Sequence, residues 1–385
     1  MIARARLTGR GAARLRAGHP WIFRTDIRDE PGERPGLVEL EDERGRGLGT
    51  ALYSPASEIR IRWLAPAGVS VDAGWWRTML SVALARRAGI DADACRVAHA
   101  EGDGLPSLIV DRFGKSVVAQ FLSAGLEAVR GDVVGAIREV LAPDGLLLRN
   151  DAPVRERERL PRGTELAFGE VPESIEVREG TVRYVAAPWT GQKTGAFLDQ
   201  RENRLLVGTL ARGRCLDAFA YHGGFALHLA RGGADEVIAV ETSADALRHL
   251  AQAAALNAVG ISGVEANAFD WLRQACDAGE RFDVIVLDPP AFAKDRRSLA
   301  RALAGYKELN LRAMKMLAEG GWLFTCSCSH HVHRGDFFAM LAEAAQDAGR
   351  RIQLVELRGA AADHPELLTV PETGYLKGAL LRALS

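Results

Sequence analysis

The sequence predicts an α/β protein whose C-terminal half is a doubly wound sheet, and three observations carry that prediction. Phe282–Leu287 is a largely apolar run of strand length with Asp288, Pro289 and Pro290 directly behind it. Such a run reads as a strand buried on both faces, inside a parallel sheet. The prolines cannot continue a ladder, so Asp288 is delivered at the carboxyl edge, where open α/β folds keep their ligands. Further strand candidates, Cys215–Phe219, Glu236–Val240, Gly263–Ala266 and Gly321–Cys326, alternate with helix candidates. The polar strand-end residues Asp217, Glu241, Asn267 and Asp288 recur at about the interval of one βα unit, which lines them along one sheet edge. Gln353–Arg358 and Tyr375–Arg382 have no comparable helix between them and predict a closing antiparallel pair.

The totals bound what the rest can be. At 385 residues the chain exceeds one ordinary core and predicts two or three domains. A hydrophobic content of 48% with 26% charged residues excludes a disordered chain. The net charge of -1 gives no global bias towards polyanions, but residues 1–28 carry seven arginines against the single acid Asp26. A local basic surface is therefore expected. Five cysteines without a C-x-x-C pair argue for a reducing compartment and against disulfides and a zinc site, so no metal is expected. No segment reads as a signal peptide or a membrane span, which predicts a cytoplasmic protein without a membrane partner.

Residues 1 to about 68 hold short β-like runs, Trp21–Phe23, Leu37–Leu40, Gly47–Tyr53 and Ile59–Trp63, separated by glycine and proline as in a small barrel or sandwich. Arg60 and Arg62 alternate with apolar residues, so one strand face is expected to be basic and to contact nucleic acid. A solvated edge strand would show the same pattern. From Val71 to about Arg162 a small α+β unit follows, with helices at Trp75–Ala88 and Gly125–Val140 and a hairpin over Leu105–Phe121. The charged run Arg155–Arg159 before Pro161 reads as a solvated connection.

The turn after Cys215–Phe219 carries Tyr221, Gly223 and Gly224, the glycines being suited to close backbone approach to a ligand. It lacks the G-x-G-x-x-G spacing of dinucleotide sites, which argues against NAD. Asp217 suits a cationic, amino-acid-bearing ligand, Glu241 suits ribose hydroxyls, and Asn267 with Phe269 suits an adenine edge. In this order they point to S-adenosylmethionine.

Seven stretches extend the pattern along the chain: His19–Phe23, Tyr53–Ser57, Glu101–Pro106, Gly191–Arg201, the Asp217 turn, Asp288–Pro290 and Ser327–Ser329. On these the chain resembles the bacterial 23S ribosomal RNA large-subunit methyltransferase I family, class I S-adenosylmethionine-dependent enzymes that make 5-methylcytosine. The resemblance implies a PUA RNA-binding domain over 1–70 and a central α+β domain over 71–165. A Rossmann-like methyltransferase domain with a mixed seven-stranded sheet would occupy 166–385. It also implies that Lys193, Gly195, Phe197, Asp199 and Arg201 close over the cofactor, that large-subunit ribosomal RNA is the partner, and it hints at a homodimer. Read from the residues alone, the same stretch could be a helix start capped by Asp199. Three positions depart from the family pattern: Asn267 for the commoner Asp, Ala291 for Lys, and His222 for a small residue.

Carbon 5 of cytosine is a poor nucleophile, and the usual remedy is a thiolate that adds to carbon 6 and pushes electron density to carbon 5. Cys326 and Cys328 follow the strand at Gly321–Thr325 and, if extended conformation continues, share one face. The resemblance selects Cys328 as the nucleophile and leaves Cys326 as an inert small hydrophobe. Asp288 would bond the N3 and N4 side of the base. Pro289, Pro290 and Phe292 would shape a slot for an unstacked base. The proton acceptor is not legible among His330, His331, Tyr306 and Lys307. Two other readings are an exocyclic-amine methyltransferase acting on guanine or adenine, which needs no cysteine, and an RNA-binding assembly factor without turnover.

Overall fold

The run at Phe282–Leu287 is a strand in the computed structural model, which describes residues 2–293 and 296–384. The chain divides into two units. One comprises the chain through Val177 with Ala186–Leu198 and Ala362–Thr373; the other comprises Arg178–Val185, Asp199–Ala361 and the chain from Gly374.

The first unit begins with a six-stranded sheet built from β1 (Ala3–Leu7), β2 (Trp21–Ile22), β3 (Ile27–Asp29), β4 (Gly36–Glu41), β5 (Gly47–Tyr53) and β6 (Ile61–Ala65), in the order β2-β6-β5-β4-β1-β3. Within the arginine-rich start, Gly9–Arg16 forms helix α1, which the sequence reading did not foresee. Thr8 caps it by accepting from the Gly11 amide at 3.1 Å, and Ala12 enters the sheet core beside Leu7 and Ile22. The unit continues through α2 (Ala73–Ala85), β7 (Ala94–His99), β8 (Leu108–Phe113), β9 (Ser116–Phe121), α3 (Ala124–Glu127), α4 (Arg130–Leu141), β10 (Gly145–Asn150), α5 (Val154–Arg157) and β11 (Gly163–Gly169). These five strands form a second sheet, in the order β11-β10-β9-β8-β7.

Two expectations about charge are corrected here. Arg62 does not lie on an open basic face: its side chain is 7% exposed and meets Glu158 at 3.0 Å, while Arg60 lies 3.4 Å from Glu30. The segment Arg155–Arg159 is not a solvated connection either. Arg155 and Glu158 are buried, with Arg155 pairing Glu127 at 2.9 Å and Glu158 also accepting from the Ala124 amide. Period-two and charge-run patterns report where a charge sits in the sequence, not whether an opposite charge folds onto it.

A hairpin, β12 (Ile175–Glu179) and β13 (Val182–Ala186), leads to the second unit. There the elements are α6 (Arg201–Thr209), β14 (Arg214–Ala218), α7 (Gly224–Gly232), β15 (Glu236–Glu241), α8 (Ala244–Leu256), β16 (Ser262–Glu265), α9 (Ala268–Asp277), β17 (Phe282–Leu287), α10 (Leu299–Met316), β18 (Leu317–Ser327), α11 (Arg334–Ala348), β19 (Ile352–Arg358) and β20 (Lys377–Ala383). The sheet order is β16-β15-β14-β17-β18-β20-β19, parallel until β20 runs antiparallel to both β18 and β19. Alternate residues of the central strands feed opposite cores. Leu216, Ile285 and Leu287 join the cluster of α9, α10 and α11, while Cys215, Val284 and Val286 join that of α7 and Phe324. That is why these strands read as apolar runs without polar alternation. The order reverses between β14 and β17, the switch point where such sheets open a crevice at their carboxyl ends.

Among the described residues no helix is long and apolar enough to cross a membrane, and no group of three or more His, Cys, Asp or Glu side chains is arranged to hold a metal ion.

Candidate active site

Asp217 and Asp288 end the two strands that flank the switch point, with Ala218 of β14 opposite Leu287 of β17. Asp217 is buried, and its Oδ2 accepts from the Ala226 amide in the first turn of α7 at 2.9 Å. Its Oδ1 is buried with no hydrogen-bond partner among the described residues. Burial, with the Asp288 and Glu241 carboxylates nearby, pushes the Asp217 carboxyl up to about 8. A buried oxygen without a donor is costly, and a ligand bringing positive charge and N–H donors offsets that cost.

The turn beyond β14 is shaped to meet β15. Phe219 and Tyr221 both have left-handed backbones, with φ of 66° and 51°. The Phe219 and Ala220 amides donate to the Val240 carbonyl at 3.0 and 3.1 Å. The Tyr221 amide donates to Glu241 Oε2 at 2.9 Å, and Glu241 Oε1 accepts from the Thr242 and Ser243 amides. Gly223 and Gly224 also meet protein closely. At Gly223, φ is +79° and a Cβ would lie 2.6 Å from Leu250 Cδ1; at Gly224 it would lie 2.9 Å from Arg204 Cδ. Both glycines admit protein packing.

Asn267 caps α9, its Oδ1 accepting from the Phe269 amide at 2.9 Å. Phe269 starts an aromatic row, 6.2 Å from Phe219 and 5.7 Å from Phe292, and Phe292 lies 4.6 Å from Tyr306. Pro289 is buried and Pro290 exposed. Two thiols at the end of β18 reach this edge: Cys326, inside the strand, has its Sγ 2.9 Å from Asp288 Oδ1, and half-buried Cys328, just beyond it, has its Sγ 4.0 Å from the Pro289 carbonyl. Ser329 is braced on three sides. Its Oγ accepts from the Ala293 amide at 3.2 Å and lies 2.9 Å from the Tyr306 hydroxyl, while its carbonyl accepts from Lys377 Nζ at 2.6 Å.

Before α6, Asp199 does not cap the helix. Its Oδ2 accepts from the Tyr375 hydroxyl at 2.5 Å and its carbonyl from the Ala361 amide, while Arg201 is buried beside Glu202. Lys193, Gly195 and Phe197 belong to the first unit, where Lys193 Nζ sits 4.5 Å over the Phe197 ring and Gly195 has φ +131°. Their loop is held by residues the sequence gave no sign of. Arg149 donates to the Pro188 and Gly191 carbonyls at 2.6 and 3.1 Å, and Thr194 donates to Asp111 at 2.5 Å. Of the four side chains left open as proton acceptor, Lys307 is taken up by Glu343 and Asp347, His330 and His331 are exposed, and Tyr306 stands in the site beside Ser329.

The buried, donor-hungry Asp217, the Glu241 carboxylate and the aromatic row suit a cation joined to a ribose and a flat heterocycle. Family models agree. One, described as S-adenosylmethionine-dependent methyltransferase, matches residues 150–382, and one for a PUA-like domain matches residues 5–66. A ribosomal RNA large subunit methyltransferase I from Shigella boydii serotype 18 is 37% identical, over 98% of this chain and 98% of its own. The relative from Klebsiella pneumoniae (strain 342) is also 37% identical, over 98% and 97%. The chain belongs to the ribosomal RNA large subunit methyltransferase I family. It is thus an S-adenosylmethionine-dependent methyltransferase with that compound as its cofactor. The fold agrees with a structure described as a methyltransferase complexed with SAH, which superposes with a TM-score of 0.85 at 20% identity over 99% of this chain and 100% of that one. A methyltransferase from Streptococcus mutans superposes with a TM-score of 0.83, also at 20% identity and with the same coverage. The buried, partnerless Oδ1 of Asp217, the Glu241 carboxylate and the Phe219–Phe269 pair suit the chemistry of such a cofactor.

Proposed function

We propose that the protein methylates carbon 5 of a cytosine in large-subunit (23S) ribosomal RNA through a covalent adduct with Cys328. The observation that carries the reading is the approach of the Cys328 thiol to the Asp288–Pro289 strand end, at the edge that holds Asp217. An amine methyltransferase has no use for a thiol there.

In this reading the Cys328 thiolate adds to carbon 6, and the C5–C6 π electrons move to carbon 5, while Asp288 holds the base by accepting from its N4 amine. Bound S-adenosylmethionine supplies the methyl group that carbon 5 takes up. A base then removes the carbon 5 proton, the C5–C6 double bond re-forms and the thiolate leaves. Pro289, Pro290 and Phe292 wall the slot, which accepts a base only after it leaves its stack. Asp217, Phe219, Tyr221, Glu241, Asn267 and Phe269 line the cofactor side, with Gly223 and Gly224 shaping the turn. Lys193, Gly195, Phe197, Asp199 and Arg201 contribute from the stretch before α6. A PUA-like RNA-binding domain over 1–70, a central domain over 71–165 and a catalytic domain over 166–385 complete the proposed organisation.

The test uses methyl-labelled S-adenosylmethionine and large-subunit RNA, followed by digestion and identification of the labelled nucleoside. Label in 5-methylcytosine that disappears with Cys328→Ala supports the reading. Label in an N-methylated purine, or a fully active Cys328→Ala, would remove it.

A further inference from the structure

Cys326 is the second thiol at the sheet edge, and the mechanism above gives it no work. It is fully buried, on the core face shared with Phe324 and Leu376. Yet its surroundings are not those of an inert hydrophobe. Gln200 Nε2 donates to its sulfur at 3.2 Å, and the sulfur reaches Asp288 Oδ1 at 2.9 Å. Gln200 Oε1 in turn accepts from Asn203 Nδ2 at 2.6 Å, and Asn203 Oδ1 accepts from Arg358 Nε at 2.9 Å. Gln200 and Asn203 are buried to within 3% and 1% of full enclosure.

The direction of this chain is fixed from one end. A guanidinium can only donate, so Asn203 must present its oxygen to Arg358. Its amide nitrogen therefore faces Gln200, whose oxygen accepts and whose nitrogen is left to face the sulfur. With a donor already on the sulfur, the thiol hydrogen has two acceptors in reach, the Leu287 carbonyl at 3.7 Å and Asp288 Oδ1 at 2.9 Å, and the nearer, carboxylate oxygen takes it. The Asn203 orientation has a second support, since Nδ2 also donates to the Gly359 carbonyl at 3.0 Å. Every link thus donates in the same sense, from a cation on β19 to the Asp288 carboxylate just beyond β17, and such chains polarise their members cooperatively.

We propose that Arg358, Asn203, Gln200 and Cys326 form a one-way hydrogen-bond relay that holds Asp288 as an acceptor and fixes its rotation, making Cys326 a positioning residue rather than a spare nucleophile. Burial and the Asp288 carboxylate push the Cys326 thiol well up, so it stays protonated and able to donate. The value of the relay to turnover rests on the assignment of Asp288 above; the relay itself does not.

Two readouts separate these. Infrared difference spectra of wild type against Cys326→Ala isolate the Cys326 S–H stretch. The relay requires a low-frequency band that moves up in Asp288→Asn and in Gln200→Leu. A band at the position of a free thiol, or one indifferent to Asp288→Asn, overturns the relay whatever RNA the enzyme modifies. Turnover gives the second readout. Cys326→Ala is expected to lower kcat about ten- to hundred-fold, the loss of one hydrogen bond to a charged group. Affinity for S-adenosylmethionine should hardly change, and Cys326→Ser, which keeps a donor, should recover most of the rate. Wild-type turnover in Cys326→Ala, or a folded Cys326→Ser as slow as Cys326→Ala, overturns the positioning role. Label in a base other than cytosine strikes the proposed reaction and leaves the infrared result to judge the relay.

Discussion

Arg62 and Asp217 both stand on strands with their charged ends buried, but Arg62 meets Glu158 at 3.0 Å whereas Asp217 keeps one oxygen without a partner among the described residues. The difference separates a charge whose partner folds onto it from a carboxyl left with hydrogen-bonding capacity for the cofactor proposed above. In the first unit several arginines are consumed by ion pairs, Arg62 with Glu158, Arg155 with Glu127, Arg87 with Asp103 and Arg96 with Asp111, and of these Arg62 is one that suggests an RNA surface in the sequence. At the carboxyl edge of the seven-stranded sheet, the Glu241 and Asp288 carboxylates lie near enough to Asp217 to raise its carboxyl, and Asp217 Oδ1 has no hydrogen-bond partner among the described residues. Neighbouring carboxylates raise the proton affinity of Asp217, and a cationic cofactor would favour its ionised form.

The largest expected effect lies on the ligand-facing side. Cys328→Ala should lower methyl transfer at least ~10³-fold, the scale expected when a covalent nucleophile is removed, with thermal stability unchanged. On the completed side, Arg62→Met should destabilise the protein by about 3–5 kcal/mol, because Glu158 would be left buried and unpaired. Urea denaturation reads this, and adding Glu158→Gln should recover much of the loss. If Arg62→Met leaves stability intact but weakens RNA binding, the comparison is wrong at its first term.

The Asp217 carboxyl supplies the next test. Its folded-state pKa is raised to about 8, so the unliganded protein keeps the proton at neutral pH. The ionised form that pairs with a cation becomes populated only as pH rises through that value. Affinity for S-adenosylmethionine should therefore climb with pH and level off above about 8, with proton release on binding at neutral pH. Calorimetry in buffers of different ionisation enthalpy measures the release. Asp217→Asn should abolish it and weaken binding about ten- to hundred-fold. The smallest effect is expected at Arg4, whose pairs with Glu39 and Glu41 are exposed. Arg4→Ala should shift stability by no more than about 0.5 kcal/mol.

The second unit was legible because its signals are backbone-scale. Apolar runs such as Phe282–Leu287 feed two cores at once, and Asp217, Glu241 and Asp288 fall at strand ends because the βα repeat sets their spacing. Charge pairing was not legible. The partners Arg62 and Glu158 are brought together by packing, as are Asp111 and Thr194, and no local pattern connects them. The hydrogen bonds of Cys326 were not legible for the same reason: it is a buried core residue, as expected, and no local pattern marks Gln200, far away in sequence, as a donor to its sulfur. Helix α1 was missed because a run of arginine, glycine and alanine has no apolar stripe, and only Thr8 marks its start.

The central claim is that Cys328, not Cys326, bonds the base, and RNA carrying 5-fluorocytidine tests it most directly. Fluorine leaves no carbon 5 proton to remove after methyl transfer, so the adduct persists and the cross-linked peptide can be read by mass spectrometry. The account predicts a methylated adduct on Cys328, absent in Cys328→Ala and retained in Cys326→Ser. An adduct on Cys326, or none with an RNA that the enzyme methylates, would contradict it.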